Sequence, residues 1–182
     1  MTEINNTIVG ALVTGTSDAD SIANSGASVS IDGGKGDDEI LNEGANVSIE
    51  AGKGDDEISN SGKKVTIKTG AGDDFVSNNG YGSRITAGNG DDTVNNYGNR
   101  VIFSGDAGND EILNEGSNVS IDGGSGDDSV YSSGDNVSVK AGKGDDSITN
   151  YGDKVTIYAD KDDDYISNSG SNVTINADKG DD

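Results

Sequence analysis

The stretch GGKGDDEILNEGANVSIEAGKGDDEIS, residues 33–59, states one phrase twice. GGKGDDEI at Gly33–Ile40 returns as AGKGDDEI at Ala51–Ile58, 18 residues further on. A second phrase, NEGANVSIE at Asn42–Glu50, separates the copies. Followed outward, the repeat fills the chain. Asp20, Asp38, Asp56, Asp74, Asp92, Asp110, Asp128, Asp146, Asp164 and Asp182 stand 18 apart without an exception. A period of this length is the mark of a repeat architecture.

Each 18 divides into two nines, and both place a large apolar residue at the eighth position. In the first nines these are Ile22, Ile40, Ile58, Val76, Val94, Ile112, Val130, Ile148 and Ile166. In the second nines Ile31, Ile49, Ile67, Ile85, Phe103, Ile121, Val139, Ile157 and Ile175 take that place. Second nines add a valine two residues earlier, as at Val47 and Val119, with Ser83 as the exception. Spacing of two and β-branched side chains read as strand. Glycine recurs too often for helix, and no window carries apolar residues at helical spacing. Strands of about three residues, none able to bury its face alone, require stacking. The expected fold is all-β: a right-handed parallel β-roll or β-solenoid, with 18 residues and two short strands per coil. About ten coils at roughly 4.8 Å spacing would make a rod of roughly 45–50 Å. Residues 1–14 are expected to form an N-terminal cap strand, with the apolar residues of Thr7–Val13 covering the first coil. Residues 15–182 are expected to be the roll, as a fragment of a longer protein.

Composition alone suggests disorder: 30% hydrophobic residues and a net charge of −22. The periodicity overrides it. Twenty-nine glycines fit the many turns. The acidic balance excludes nucleic acid, which needs a basic footprint. It points to cations as partners. Absence of cysteine and histidine leaves only oxygen ligands, carboxylates and backbone carbonyls, and removes structural zinc and copper. The apolar stretch Thr7–Val13 lacks a basic flank and is too short to span a bilayer, so neither a leader nor an anchor is expected.

Stacking sets each aspartate above its copy, and Asp37, Asp55, Asp73, Asp91, Asp127, Asp145, Asp163 and Asp181 add a second acidic column. Two carboxylates about 5 Å apart repel by about 3 kcal/mol at an effective dielectric near 20. A divalent cation in each gap turns that repulsion into attraction. Calcium accepts six to eight oxygens in flexible geometry, whereas magnesium keeps its water. Glycine opens the φ > 0 region that loop carbonyls need to approach an ion. The candidate ligands are Asp20; Gly34, Gly36 and Asp38; Gly52, Gly54 and Asp56; Gly70, Gly72 and Asp74; Gly88, Gly90 and Asp92; Gly108 and Asp110; Gly124, Gly126 and Asp128; Gly142, Gly144 and Asp146; Asp164; and Asp182. Up to about nine Ca2+ ions would form one row along one side.

GGKGDDEIL and GGSGDDSVY (Gly123–Tyr131) match the nonapeptide G-G-x-G-x-D-x-U-x, where U is a large aliphatic residue. AGKGDDEIS, TGAGDDFVS, AGNGDDTVN and AGKGDDSIT lack only the first glycine. GTSDADSIA at Gly15–Ala23 and ADKDDDYIS at Ala159–Ser167 are degenerate. The chain resembles the RTX (repeats-in-toxin) calcium-binding β-roll family. The resemblance implies a calcium roll in a secreted or cell-surface protein, exported unfolded and folding on meeting calcium outside the cell. It departs from that pattern in the second nine. There Asn24, Asn42, Asn60, Asn78, Asn96, Asn114, Asn150 and Asn168, with Ser132 as a gap, replace a calcium loop. Stacked asparagines can hydrogen-bond to their copies, so this side is expected to be a metal-free ladder.

No coil differs from its copies as an active site should, so no enzyme is expected. The leading expectation is a calcium-stabilised structural segment. The alternative is a surface adhesion, ligand-binding or ice-binding module using a flat strand face. The outward row Ser48, Thr66, Arg84, Ile102, Ser120, Ser138, Thr156, Thr174 is too mixed for a regular threonine face. Open strand edges at the ends favour end-to-end self-association.

Overall fold

A computed structural model describes residues 1–180 as a parallel β-solenoid of about ten coils, with twenty strands and no helix. Strands are numbered in chain order. The odd strands form one ten-stranded sheet, from β1 (Thr2–Asn6) to β19 (Tyr165–Asn168), and the even strands form another, from β2 (Leu12–Thr14) to β20 (Thr174–Asn176). Every pairing is parallel and offset by one repeat, as in Ile40↔Ile58 and Ile49↔Ile67. The expected solenoid and its two strands per coil are what the chain adopts.

One coil shows how the sequence builds it. β5 (Glu39–Asn42) and β6 (Ser48–Lys53) alternate exposed and buried residues. Ile40, Val47, Ile49 and Ala51 point inward and are fully or almost fully buried. Asp38 and Asn42 flank Ile40 at spacing two, so the same pleat turns them inward as well, and both are buried. Each coil therefore has an apolar centre with an aspartate at one edge and an asparagine at the other. Stacked, these become three parallel columns.

Two features differ from expectation. Apart from β2 and β20, the even strands run six residues rather than three, because pairing continues into the glycine loop, as in Gly34↔Gly52. Glycine permits this: Gly54 sits at φ 120, and a Cβ there would stand against the carbonyl oxygen of Gly36 one coil away. The N-terminal segment is also built differently. β1 and β2 both continue the 18-residue register, with Ile4↔Ile22 and Val13↔Ile31. Ile8, Val9 and Leu12 are exposed at 68, 70 and 74%, so they do not cover the first coil. A turn of the solenoid stands where a single cap strand was expected. Its cause is the spacing of Ile4, Asn6 and Val13, which repeats that of Ile22, Asn24 and Ile31.

Candidate metal centre

The two turns of each coil lie at opposite edges of the sheets. At one edge the asparagines form the expected ladder. Asn24 Nδ2 donates to Asn42 Oδ1 at 2.7 Å, Asn42 to Asn60 at 2.8 Å, and Asn60 to Asn78 at 2.7 Å. Each also closes its own turn: Asn42 Nδ2 donates to Gly44 O at 2.9 Å, and Gly44 N–H donates to Asn42 Oδ1 at 3.2 Å. Asn6 extends the ladder by one rung, donating to Asn24 at 2.7 Å. Ser132 accepts from Asn114 at 3.2 Å. This edge satisfies itself with neutral groups.

The aspartate edge is organised in two directions. The second aspartate of each pair is buried, and its Oδ1 accepts the N–H of its copy in the preceding coil. Asp20 N–H donates to Asp38 at 2.8 Å, Asp38 N–H to Asp56 at 2.8 Å, and Asp56 N–H to Asp74 at 2.7 Å. The pattern runs on to Asp164, which accepts from Asp146 at 2.9 Å. The first aspartate of each pair is exposed and accepts from the following coil: Asp55 N–H donates to Asp37 Oδ1 at 3.0 Å, and Asp73 N–H to Asp55 at 2.9 Å. Asn109 serves in the same column, accepting from Asp127 at 2.8 Å. Adjacent aspartates thus tie one loop to both neighbours. The columns are therefore not the bare repulsion expected from the sequence. The signal was the pleat, since neighbours in a strand face opposite ways.

The second oxygen of the buried column is different. Oδ2 of Asp38, Asp56, Asp74, Asp92, Asp110, Asp128 and Asp146 is buried without a hydrogen-bond partner. Burial pushes the carboxyls of Asp56, Asp92 and Asp146 up to about 7. Asp110 and Asp128 are pushed up to about 6 for the same reason. The N–H donor opposes the shift at each, and neighbouring carboxylates add to it. Asp38 and Asp74 move in the same direction. Asp20 is the exception. Burial pulls it upward too, but N–H donors from Thr16, at 2.6 Å to Oδ2, and Thr2 outweigh that pull and leave it below its usual value.

These orphan oxygens fit a hard cation. A Cβ placed on Gly33 would stand 2.5 Å from both Asp38 Oδ2 and Ala51 O, too close for any side chain, so oxygens of two successive coils crowd this loop position. Gly15, Gly105 and Gly123 have the same surroundings, whereas Ala51, Ala87, Ala141 and Ala159 fill the equivalent point with a methyl group. The first loop position was not among the expected ligands. Gly34 and Gly36 direct their carbonyl oxygens at Gly52 and Gly54 of the next coil, into the gap between coils. Gly70, Gly72, Gly88, Gly90, Gly108, Gly124, Gly126, Gly142 and Gly144 hold the same loop places at positive φ. Among the described residues no three acidic side chains converge, so an ion at this edge would need backbone carbonyls as well. Asp182 lies outside the described residues.

No family model matches the chain, and no curated protein matches it, so the RTX likeness rests on the nonapeptide motif alone. Among solved structures, the X-ray crystal structure of a hyperactive, Ca2+-dependent, beta-helical antifreeze protein from an Antarctic bacterium resembles it. The TM-score is 0.73 at 21% identity, over 100% of this chain and 74% of that one. The likeness is one of fold.

Proposed function

We propose that the chain is a calcium-binding structural β-roll segment of a secreted or cell-surface protein, folding as Ca2+ enters between its stacked loops. One observation carries this: coil after coil, from Asp38 to Asp146, buries a carboxylate oxygen without a hydrogen-bond partner, with the Thr69 hydroxyl acting on Asp74 alone. An unmet buried acceptor costs about 1–3 kcal/mol, and more when charged. Repetition in register makes it a designed column rather than an accident of one turn. A row of divalent cations satisfies every such oxygen and neutralises part of the −22 charge. The Ca2+ dependence stated for the structural neighbour supports the same reading. So does the donor set, which is oxygen throughout. Asp38, Asp56, Asp74, Asp92, Asp110, Asp128 and Asp146 supply the carboxylates, with loop carbonyls completing each site. Asp20, already satisfied by Thr16, contributes least. The protein acts as a spacer or scaffold and not as an enzyme. A calcium titration followed by circular dichroism tests the reading. Strand signal and melting temperature should rise together with calcium and fall with chelator; a β spectrum indifferent to excess chelator would refute it.

A second reading, binding of ice or another ligand on a strand face, is favoured by the antifreeze activity stated for the neighbour. Against it stands the outer face of the even sheet, where Arg84 pairs with Ile102 in the middle of the Ser and Thr row. Thermal hysteresis in calcium separates the two: the structural reading expects none.

A further inference from the structure

The negative charge of the molecule has one conspicuous gap. The second nines at residues 60–68, 78–86 and 96–104 follow one another along the asparagine edge. They carry Lys63, Lys64, Lys68, Arg84 and Arg100, five of the twelve basic residues, and no acid. Elsewhere along the second nines stand Asp32, Glu43, Glu50, Glu115, Asp122, Asp135 and Asp153. All five cations are exposed. None makes an ion pair among the described residues, where the ion pairs are those of Lys140 with Asp122 and Asp160.

The fold does not ask for these residues. Lys64 and Arg100 occupy a turn position at φ 56 and 59. Asn46, Asn118, Asn136 and Asn172 hold the same position in other coils. Left-handed backbone is cheaper for asparagine or glycine than for a long side chain. Arg84 and Ile102 stand where the other coils, apart from Leu12 in the first, place Ser or Thr. Around them lie exposed apolar surfaces: Tyr81 at 40%, Tyr97 at 41% and Ile102 at 42%. The Arg100 guanidinium sits 5.6 Å from the centre of the Tyr81 ring. Gly82 leaves the space beside Lys64 open.

We propose that this patch binds an acidic, carboxylated polysaccharide laid along the rod. The cations lie on three successive coils spaced about 4.8 Å apart, so they present a band of positive charge on which an extended chain can lie. Arginine and lysine recognise carboxylates through charge-assisted hydrogen bonds. The flat faces of Tyr81 and Tyr97 and the side chain of Ile102 suit the apolar faces of sugar rings. A nucleic-acid duplex is disfavoured: its affinity rests on many phosphate contacts, and a body of charge −22 repels so dense a polyanion. Lys64 and Arg100 lie in the turns at the asparagine edge and Arg84 on the outer face of β10 (Arg84–Asn89), so these three can be altered without touching the aspartate column.

The test uses the full chain in calcium-containing buffer and a fluorescent hyaluronan oligosaccharide as probe, because hyaluronan carries carboxylates and does not gel with calcium. Fluorescence anisotropy should show binding that weakens as salt is added. A triple variant, Lys64→Asn, Arg84→Ser and Arg100→Asn, installs residues that other coils already use at those positions. It should melt at or above the wild-type temperature and bind about tenfold more weakly or worse, as loss of several unscreened charge contacts implies. If the triple variant does not fold, Arg100→Asn alone, measured in the same way, should still weaken binding. Failure of the wild-type chain to bind, equal binding by the folded variant, or equal binding of neutral dextran would overturn the proposal. So would tighter binding of a short DNA duplex, or a dimer in sedimentation that the triple variant abolishes, which would make a second copy the partner.

Discussion

Asp91 and Asp92 are one place apart in the chain and on opposite faces of the fold. Asp91 is exposed and accepts Asn109 N–H at 2.7 Å; Asp92 is buried and accepts Asp74 N–H at 2.8 Å. Asp92→Asn keeps the Oδ1 acceptor and replaces the orphan Oδ2 by an amide. In chelator, the variant should be at least as stable as wild type, because a buried charge is gone. In calcium, its folding midpoint should shift severalfold upward, whereas Asp91→Asn should shift it little; matched calcium titrations of the two variants check this. The pH dependence follows from the same column. The ordinary Asp pKa is about 3.9 in an unfolded chain, and burial raises Asp56, Asp92 and Asp146 to about 7 in the fold. The folded state therefore holds more protons between these values. Its stabilisation is complete below about pH 4 and is lost as pH rises through about 7. Calcium-free protein should melt higher at pH 5 than at pH 8. Calcium competes with those protons, so its midpoint should fall over the same interval. Calorimetry at the two pH values, with and without chelator, reads both effects.

Among the elements, the asparagine turns and the glycine loops make opposite demands. Asn60 donates to Asn78 and to Gly62 O, and accepts from Asn42 and Gly62 N–H. Asn60→Ala strands these buried groups, at about 1–3 kcal/mol for each one left unmet. Denaturant unfolding in calcium should show a loss of at least that size, and a change near zero would mean the ladder is not structural. Gly82 sits at φ 71 in a turn with open space around it, where Asn46 and Asn118 stand at φ 57 and 60 in other coils. Gly82→Asn should be neutral or stabilise by about 0.4–1 kcal/mol. Gly54→Ala should destabilise strongly, because its Cβ would meet the backbone of the neighbouring coil. Comparing the two melting temperatures tests whether stacking distance, and not glycine content, sets the loop sequence. Strands, coil number and the asparagine ladder were all legible in the sequence, because a strict period turns one local reading into ten. Val47, Ile49 and Asn42 each repeat what their copies say. The hydrogen bonds of the aspartates were not read. They depend on which way each carboxylate turns, and the residue type alone does not record it. Asp38, Ile40 and Asn42 at spacing two did contain that information. Residues 1–14 misled through their apolar stretch, while the register of Ile4, Asn6 and Val13 passed unnoticed.

As a whole molecule, the chain is a stack in which every coil touches only its neighbours, so stability is close to a sum of coils and interfaces. The −22 charge opposes that sum everywhere, and the buried aspartates oppose it most. Position along the rod should therefore matter. Asp92→Ala removes an oxygen shared between central coils, whereas Asp20→Ala lies beside the first turn and removes one already held by Thr16 N–H. The central change should raise the calcium midpoint more, as followed by circular dichroism; equal shifts would mean the coils bind independently. The most direct measurement is an anomalous-difference map from crystals grown in calcium. It should show a row of peaks in the gaps between the glycine loops, within calcium–oxygen bonding distance of the carboxylates of Asp38, Asp56, Asp74, Asp92, Asp110, Asp128 and Asp146, and nothing beside Asn60 or Asn96. A map without peaks on the aspartate column, or with peaks along the asparagine ladder, would contradict a calcium-held stack.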